Sequence, residues 1–257
     1  MAGVTKRAEA VIRKADIIAE VLDARFFEET RNERIEKYAG NNGKRLFYVV
    51  NKVDLVGGKT IAAIKKALGR VPGTRIVFTS AKDRTGSTRM KEAIGKLAKS
   101  SNTEVKVGFV GYPNTGKSSI INLLKGKRVA PASASAGFTK GEKMIRVSQR
   151  VMLIDTPGVI PFEERDERKL VLLCAKSPNQ VRDVQGCGEE IVRFVMARGK
   201  EELEREYDVE LAGDEDEEEA LEKIAVAKSW LLPGGKPNTD TAARKIMIDW
   251  QKGKIKV

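Results

Sequence analysis

Residues 111–118 read GYPNTGKS, and sixty residues earlier, at 51–54, the chain reads NKVD. The first stretch has the spacing G-x-x-x-x-G-K-S of a phosphate-cradling loop. Gly111 and Gly116 permit a tight turn, backbone N–H groups can face phosphate oxygens, and a helix starting near Lys117 would point its positive end at them. The flanks agree: VKVGFV (105–110) has the pattern of a buried strand and SSIINLLKG (118–126) that of a helix. A glycine turn carrying a stray lysine predicts neither flank. Lys117 is therefore placed to reach terminal phosphates and Ser118 to bind Mg²⁺, with Tyr112, Pro113, Asn114, Thr115 and Ser119 completing the loop.

Working outward, apolar and β-branched runs recur at 16–24 (DIIAEVLDA), 45–52 (RLFYVVNK), 75–80 (RIVFTS) and 150–155 (RVMLID). Such runs suit strands buried on both faces of a parallel sheet. Between them, near 30–40, 58–69 and 87–99, apolar and charged residues recur at helical spacing. The alternation predicts a doubly wound α/β fold, in which ligands bind at the carboxyl ends of strands. Each motif sits at such an end.

LIDTPG (153–158) closes the last of these strands, with Asp155 44 residues after Gly111. Asp155 can hold Mg²⁺ through water and the Gly158 amide can contact a γ-phosphate, with Thr156 and Pro157 between them. Asp, Pro and Gly also make a simple turn. In the connection, ASAGFTKG (134–141) offers Thr139 as a switch residue that ligates Mg²⁺ and senses the γ-phosphate; Ser133 and Ser135 carry hydroxyls in the same segment.

NKVD has the chemistry to read a guanine. The Asn51 amide can pair with the keto and ring-nitrogen edge, the Asp54 carboxylate can accept from the ring N–H and exocyclic amine, and the Lys52 stem can lie over the base. TSAK (79–82), at the end of the next strand, supplies a partner loop: Ser80 and Ala81 would turn their backbone to the guanine keto oxygen, with Lys82 following. GTP and GDP are thus the expected ligands.

The order of these parts is reversed relative to an ordinary GTP-binding domain, where the phosphate loop comes first. Joined from Gly111 to about Ile160 and then from Asp16 to about Lys99, the chain resembles a complete Ras-like G domain. It is similar to the circularly permuted GTPases of ribosome assembly, the family of ribosome biogenesis GTPase A and nucleolar GTP-binding protein 2. VLDAR (21–25) matches the family's strand before the base reader, and PGGKPNTDTAARKIMIDWQKGKI (233–255) resembles its C-terminal helical module. The resemblance implies a P-loop GTPase domain with a mostly parallel six-stranded sheet over 1–162, and a small helical, RNA- or ribosome-binding domain over 163–257. It implies a Mg²⁺-dependent GTPase, slow alone and stimulated by the ribosome or rRNA, that acts on the large ribosomal subunit. A nucleotide-dependent RNA-binding switch with incidental hydrolysis, or a GTPase acting on tRNA, are the alternatives.

Two positions depart from the pattern. Ala136 stands where the family has proline before the Gly-x-Thr of the switch, and Val159, then Ile160, follow DTPG where Ras-like proteins place a water-orienting glutamine. Neither side chain can orient water. The resemblance implies a substitute: related GTPases with the loop asparagine, here Asn114, hold K⁺ against the β- and γ-phosphates. Asn114 can equally cap its own loop.

Composition excludes other chemistry. The chain of 257 residues has no histidine, which removes Ser-His-Asp triads and His-ligated metals, and its two cysteines, Cys174 and Cys187, have no metal-ligand spacing. No apolar stretch has the length of a membrane span and no signal-peptide block opens the chain, so a cytoplasmic protein without membrane partners is expected. Residues 201–257 hold 9 Lys/Arg and 15 Asp/Glu, against 48 and 36 in the whole chain, so residues 1–200 carry +18. A basic body with an acidic segment at 201–222 suits a polyanion, here rRNA rather than DNA. Arg244, Lys245, Lys252, Lys254 and Lys256 are candidate phosphate contacts, on a chain expected to be a monomer.

Overall fold

The computed structural model describes residues 6–70, 75–98, 104–126, 143–155 and 165–257. They form two compact units, one within Met1–Glu164 and the other Arg165–Val257.

The first unit is built on six strands: β1 (Ile17–Asp23), β2 (Arg45–Asn51), β3 (Arg75–Phe78), β4 (Val105–Val110), β5 (Lys143–Ser148) and β6 (Val151–Asp155). Their order across the sheet is β3-β2-β1-β4-β6-β5, and all neighbours are parallel except β5 and β6. Numbered in rejoined order, starting at β4, the strands lie as 2-3-1-4-5-6. From β1 the chain winds outward to β2 and β3, and from β4 it winds the other way. The carboxyl ends of β1 and β4 therefore flank the point where winding reverses, the usual crevice for a ligand in such sheets. Permutation has left that point intact.

Alternate side chains of the central strands serve opposite faces. Ile17, Ala19 and Val21 of β1 join Val107 and Phe109 of β4 under α5 (Ser87–Ala98) and α6 (Lys117–Lys125), whose Met90, Ile94, Ile120 and Leu124 complete the layer. On the other face, Ile18, Val110 and Ile154 pack under α1 (Lys6–Lys14) and α3 (Glu33–Asn41), which follows the short α2 (Phe27–Thr30). Leu22, Tyr48 and Val50 meet Ile64 and Leu68 of α4 (Gly58–Leu68). The odd residue on that face is Glu20 of β1, fully buried between Ile18 and Leu22.

The second unit is helical: α7 (Glu167–Leu172), α8 (Val184–Met196), α9 (Glu201–Tyr207), α10 (Glu217–Ala227) and α11 (Thr239–Lys252). Its centre is Trp250 of α11, fully buried, edge-on to Phe194 at 5.7 Å and donating from Nε1 to the Leu172 carbonyl at 2.8 Å. The acidic segment is largely helix: α9 and α10 carry Glu201, Glu202 and Glu204, and Glu217, Glu218 and Glu219, in their first turns, where carboxylates favour the helix dipole. Three of the five candidate RNA-contacting residues have side-chain partners within this unit, and Lys256 donates its backbone N–H to Glu202 at 3.2 Å. Lys245 and Lys254 reach Asp249, at 3.3 and 3.1 Å, Lys254 also reaches Glu206 at 3.2 Å, and Arg244 donates to the Pro178 carbonyl at 3.4 Å.

Candidate functional site

β4 ends at Val110, and the phosphate loop turns at once into α6. Gly111 has φ of 144°, and a Cβ there would stand 2.4 Å from the Val21 carbonyl oxygen of β1. Gly116 has φ of 100°, and its Cβ would meet Asn51 Nδ2 at 2.2 Å. Both glycines are thus demanded twice, by backbone sign and by the approach of a neighbouring strand or turn. Asn114 also lies in the left-handed region, φ 57°, which asparagine tolerates better than most residues, so its presence has a conformational cause independent of any cation.

Lys117 is buried and folds back over its loop, donating from Nζ to the carbonyls of Tyr112 (2.6 Å) and Gly111 (3.1 Å). Burial pushes its ammonium down to about 8, the Lys52 charge pushes the same way, and Asp155 opposes both. The next residue, Ser118, donates from Oγ to Asp155 Oδ2 at 2.9 Å. A hydroxyl and a carboxylate in contact are hard oxygen donors of the kind Mg²⁺ takes alongside water and phosphate, so the pair fits that ion. Among the described residues no cluster of three or more His, Cys, Asp or Glu could hold a metal without such help. Thr139, Thr156, Pro157 and Gly158 lie outside the described residues, as do Ser133, Ser135, Val159 and Ile160.

The base-reading segment does more than was expected of it. Asn51, 2% exposed at the end of β2, donates from Nδ2 to the Thr115 carbonyl of the phosphate loop (2.8 Å) and accepts at Oδ1 from Ala81 N–H (3.1 Å) and the Thr79 hydroxyl (3.2 Å). One amide thereby joins three loops. The Ala81 N–H, expected to face a guanine keto oxygen, is engaged with Asn51, and the Ser80 N–H donates to the Thr85 hydroxyl at 3.2 Å. Lys82 is exposed and Asp54 half-buried in the same mouth. Lys52 has left-handed φ, 63°, and its ammonium lies 2.7 Å from Asp23 Oδ2.

Asp23, Arg25 and Thr79 are the residues sequence reasoning left without a role. Thr79 ties its hydroxyl to Asn51, and Asp23 ends β1 directly opposite Asn51 in the register with β2. The signal available for Asp23 was its place in VLDAR: a charged pair at and just beyond the carboxyl end of the strand.

The family described as RsgA GTPase matches residues 6–164, which is more than half of the chain. The protein belongs to the RsgA GTPase family. It is a circularly permuted member, phosphate loop after base reader, in sequence and in sheet order alike. A second family, described as 50S ribosome-binding GTPase, matches residues 106–223. Curated relatives include an uncharacterized GTP-binding protein of Methanocaldococcus jannaschii, 38% identical over 98% of this chain and 66% of its own, and nucleolar GTP-binding protein 2 of Neurospora crassa, 35% identical over 95% of this chain and 40% of its own. This RsgA-family chain thus spans less than two thirds of the length of the curated relatives it matches. Its fold is like that of GDP-bound YlqF from T. maritima, with TM-score 0.67, 23% identity, 98% of this chain and 96% of that one covered.

Proposed function

We propose that this chain binds GTP and hydrolyses it to GDP and phosphate, with Mg²⁺ held by Ser118 and Asp155, as an assembly factor for the large ribosomal subunit. The observation that carries the nucleotide half is Asn51, whose one side chain holds the NKVD turn, the TSAK loop and the phosphate loop together although they lie up to 64 residues apart. A guanine edge then falls to Asp54 and the phosphates to Lys117 and the loop amides. Mg²⁺ supplies charge to the transferring phosphoryl group. Lys117 stands at the phosphate end of the same loop. The ribosomal half is supported by the match to a 50S ribosome-binding GTPase family and by nucleolar relatives. The second unit is the candidate ribosome-binding part, rRNA the stimulating partner and the cytoplasm the site of action. K⁺ at Asn114 belongs to this reading too; faster hydrolysis in potassium than in sodium, lost in Asn114→Ala, is its test.

Two measurements test the whole. Asp54→Asn should weaken GTP and strengthen xanthosine triphosphate, because the new amide can donate to the xanthine keto oxygen; equal affinity of the wild type for ATP and GTP would sink the guanine assignment. Large subunits should carry the protein down in a sedimentation run with a non-hydrolysable GTP analogue and release it with GDP. Retention with both nucleotides would favour an RNA-binding protein with incidental hydrolysis, and retention by tRNA alone the tRNA alternative.

A further inference from the structure

Asp23 stands outside every motif that marks the nucleotide site, yet it is a heavily used carboxylate beside it. It is 1% exposed. Its Oδ1 accepts from Arg25 N–H (3.1 Å) and Nε (3.0 Å), and its Oδ2 from an Arg25 terminal nitrogen (2.8 Å) and Lys52 Nζ (2.7 Å). The Arg25 side chain is fully buried, so Asp23 and Arg25 already neutralise one another without help. Charge balance therefore does not call for Lys52. Yet Lys52, in a left-handed backbone at the end of β2, has its ammonium drawn onto the end of the neighbouring strand.

We propose that Asp23 is a positioning residue for the nucleotide base, acting through Lys52. The inference rests on the guanine-nucleotide reading above. Pinned at Cα by the turn and at Nζ by Asp23, the four-carbon stem of Lys52 has a fixed course between β2 and β1. A fixed stem is an apolar ledge beside Asn51 and Asp54. An untethered lysine has to surrender its rotamers at each binding event, whereas this one has lost them in folding, and the difference returns as affinity. The ledge has no donor or acceptor to offer a base edge, so it serves any purine equally and leaves the choice of guanine to Asp54.

The test is a set of GDP affinities, measured by calorimetry on the full chain. Asp23→Asn should weaken GDP about tenfold, Lys52→Ala should do much the same, and the double variant should bind no more than about twofold below Lys52→Ala. Xanthosine diphosphate should lose as much as GDP in Asp23→Asn, so their ratio stays put, whereas Asp54→Asn changes it. Arg25→Met removes the buried partner but keeps Asp23 and Lys52; it should lower the melting temperature while holding GDP affinity within about twofold. If Asp23→Asn does not fold, Asp23→Glu, which keeps the charge and shifts the carboxylate by one methylene, should weaken GDP while Arg25→Met does not. Wild-type GDP affinity in Asp23→Asn or Asp23→Glu, losses that multiply in the double variant, or equal losses in Arg25→Met would each overturn the inference alone. A wild type that binds no GDP overturns the nucleotide reading beneath it.

Discussion

Two buried charges in the first unit make opposite demands on pH. Lys117 is held down to about 8 by burial and by Lys52. If Lys117 meets the phosphates as proposed, their oxygens would favour its charged form, and its ammonium would titrate higher in the nucleotide complex than in the free protein. The linkage then has one sign: GDP affinity is full below about pH 8 and falls, by up to about tenfold per pH unit, as pH rises above it. Calorimetry at pH 8.5 in two buffers of unlike ionisation enthalpy should report proton uptake on binding, and no proton exchange would place the Lys117 ammonium elsewhere. Glu20 is the other case. Burial, and then Glu36, push its carboxyl well above the ordinary range, against the Asn32 N–H bonded to its Oε1 at 2.7 Å and the Arg31 charge. Such a group stabilises fully below its unfolded value, near 4.5, and loses that contribution as pH rises toward the folded value. Glu20→Gln keeps the acceptor for Asn32 and removes the ionisation. It should be more stable than wild type at pH 7 and equal to it near pH 4, by denaturant unfolding. A difference that is the same at both pH values would mean that packing, not charge, governs the site.

At the scale of elements, what the sequence disclosed was set by how many neighbours an element has. β1, β2, β4 and β6 are mostly apolar runs, interrupted by Glu20 in β1 and Lys106 in β4, because strands in such a sheet bury both faces, and their ends were read to within a residue or two. β5, Lys143–Ser148, is an antiparallel edge strand of mixed polar and apolar residues with an irregular register at Arg146 and Ser148, so KMIRVS has no such run to show. The resemblance implied a sixth strand; the pattern alone gave no place for it. The phosphate loop and NKVD were legible because local spacing defines them. The Asp23 and Thr79 contacts were not, since they arise from pairing between strands 28 residues apart in sequence (Asp23 with Asn51) and from one buried hydroxyl. In the second unit, Trp250 is the central contact of α11 with α8 and with the end of α7. Trp250→Phe keeps most of the ring but leaves the Leu172 carbonyl with only the weak Cys174 thiol donor, at 3.9 Å. The loss should be about 1–2 kcal/mol in urea unfolding followed by circular dichroism. A change under about 0.5 kcal/mol would mean that the indole bond contributes little.

Across the whole molecule, charge divides with the units. Residues 165–257 contain 17 Lys/Arg and 20 Asp/Glu, a net of −3, which leaves 31 and 16, or +15, on residues 1–164. The second unit also spends positive charge internally: Lys254 on Asp249 and Glu206, Lys245 on Asp249, Arg193 on Glu190 and Glu217, and Lys176 on Glu167. If rRNA is the partner, the first unit should supply most of the phosphate contacts, and the second unit's part in ribosome binding would then rest on surfaces other than its C-terminal lysines. Counterion release makes this measurable, since each neutralised phosphate adds nearly one to the slope of log affinity against log salt. Binding to isolated large subunits should fall with a slope steeper than about −3, while Lys252→Gln with Lys256→Gln should change that slope by no more than about one. GDP affinity of the double variant should match the wild type, because neither lysine belongs to the nucleotide site. A slope that flattens by two or more in the double variant would return the RNA contact to the C-terminal end, and a flat slope in the wild type would remove phosphate recognition from the proposed function altogether.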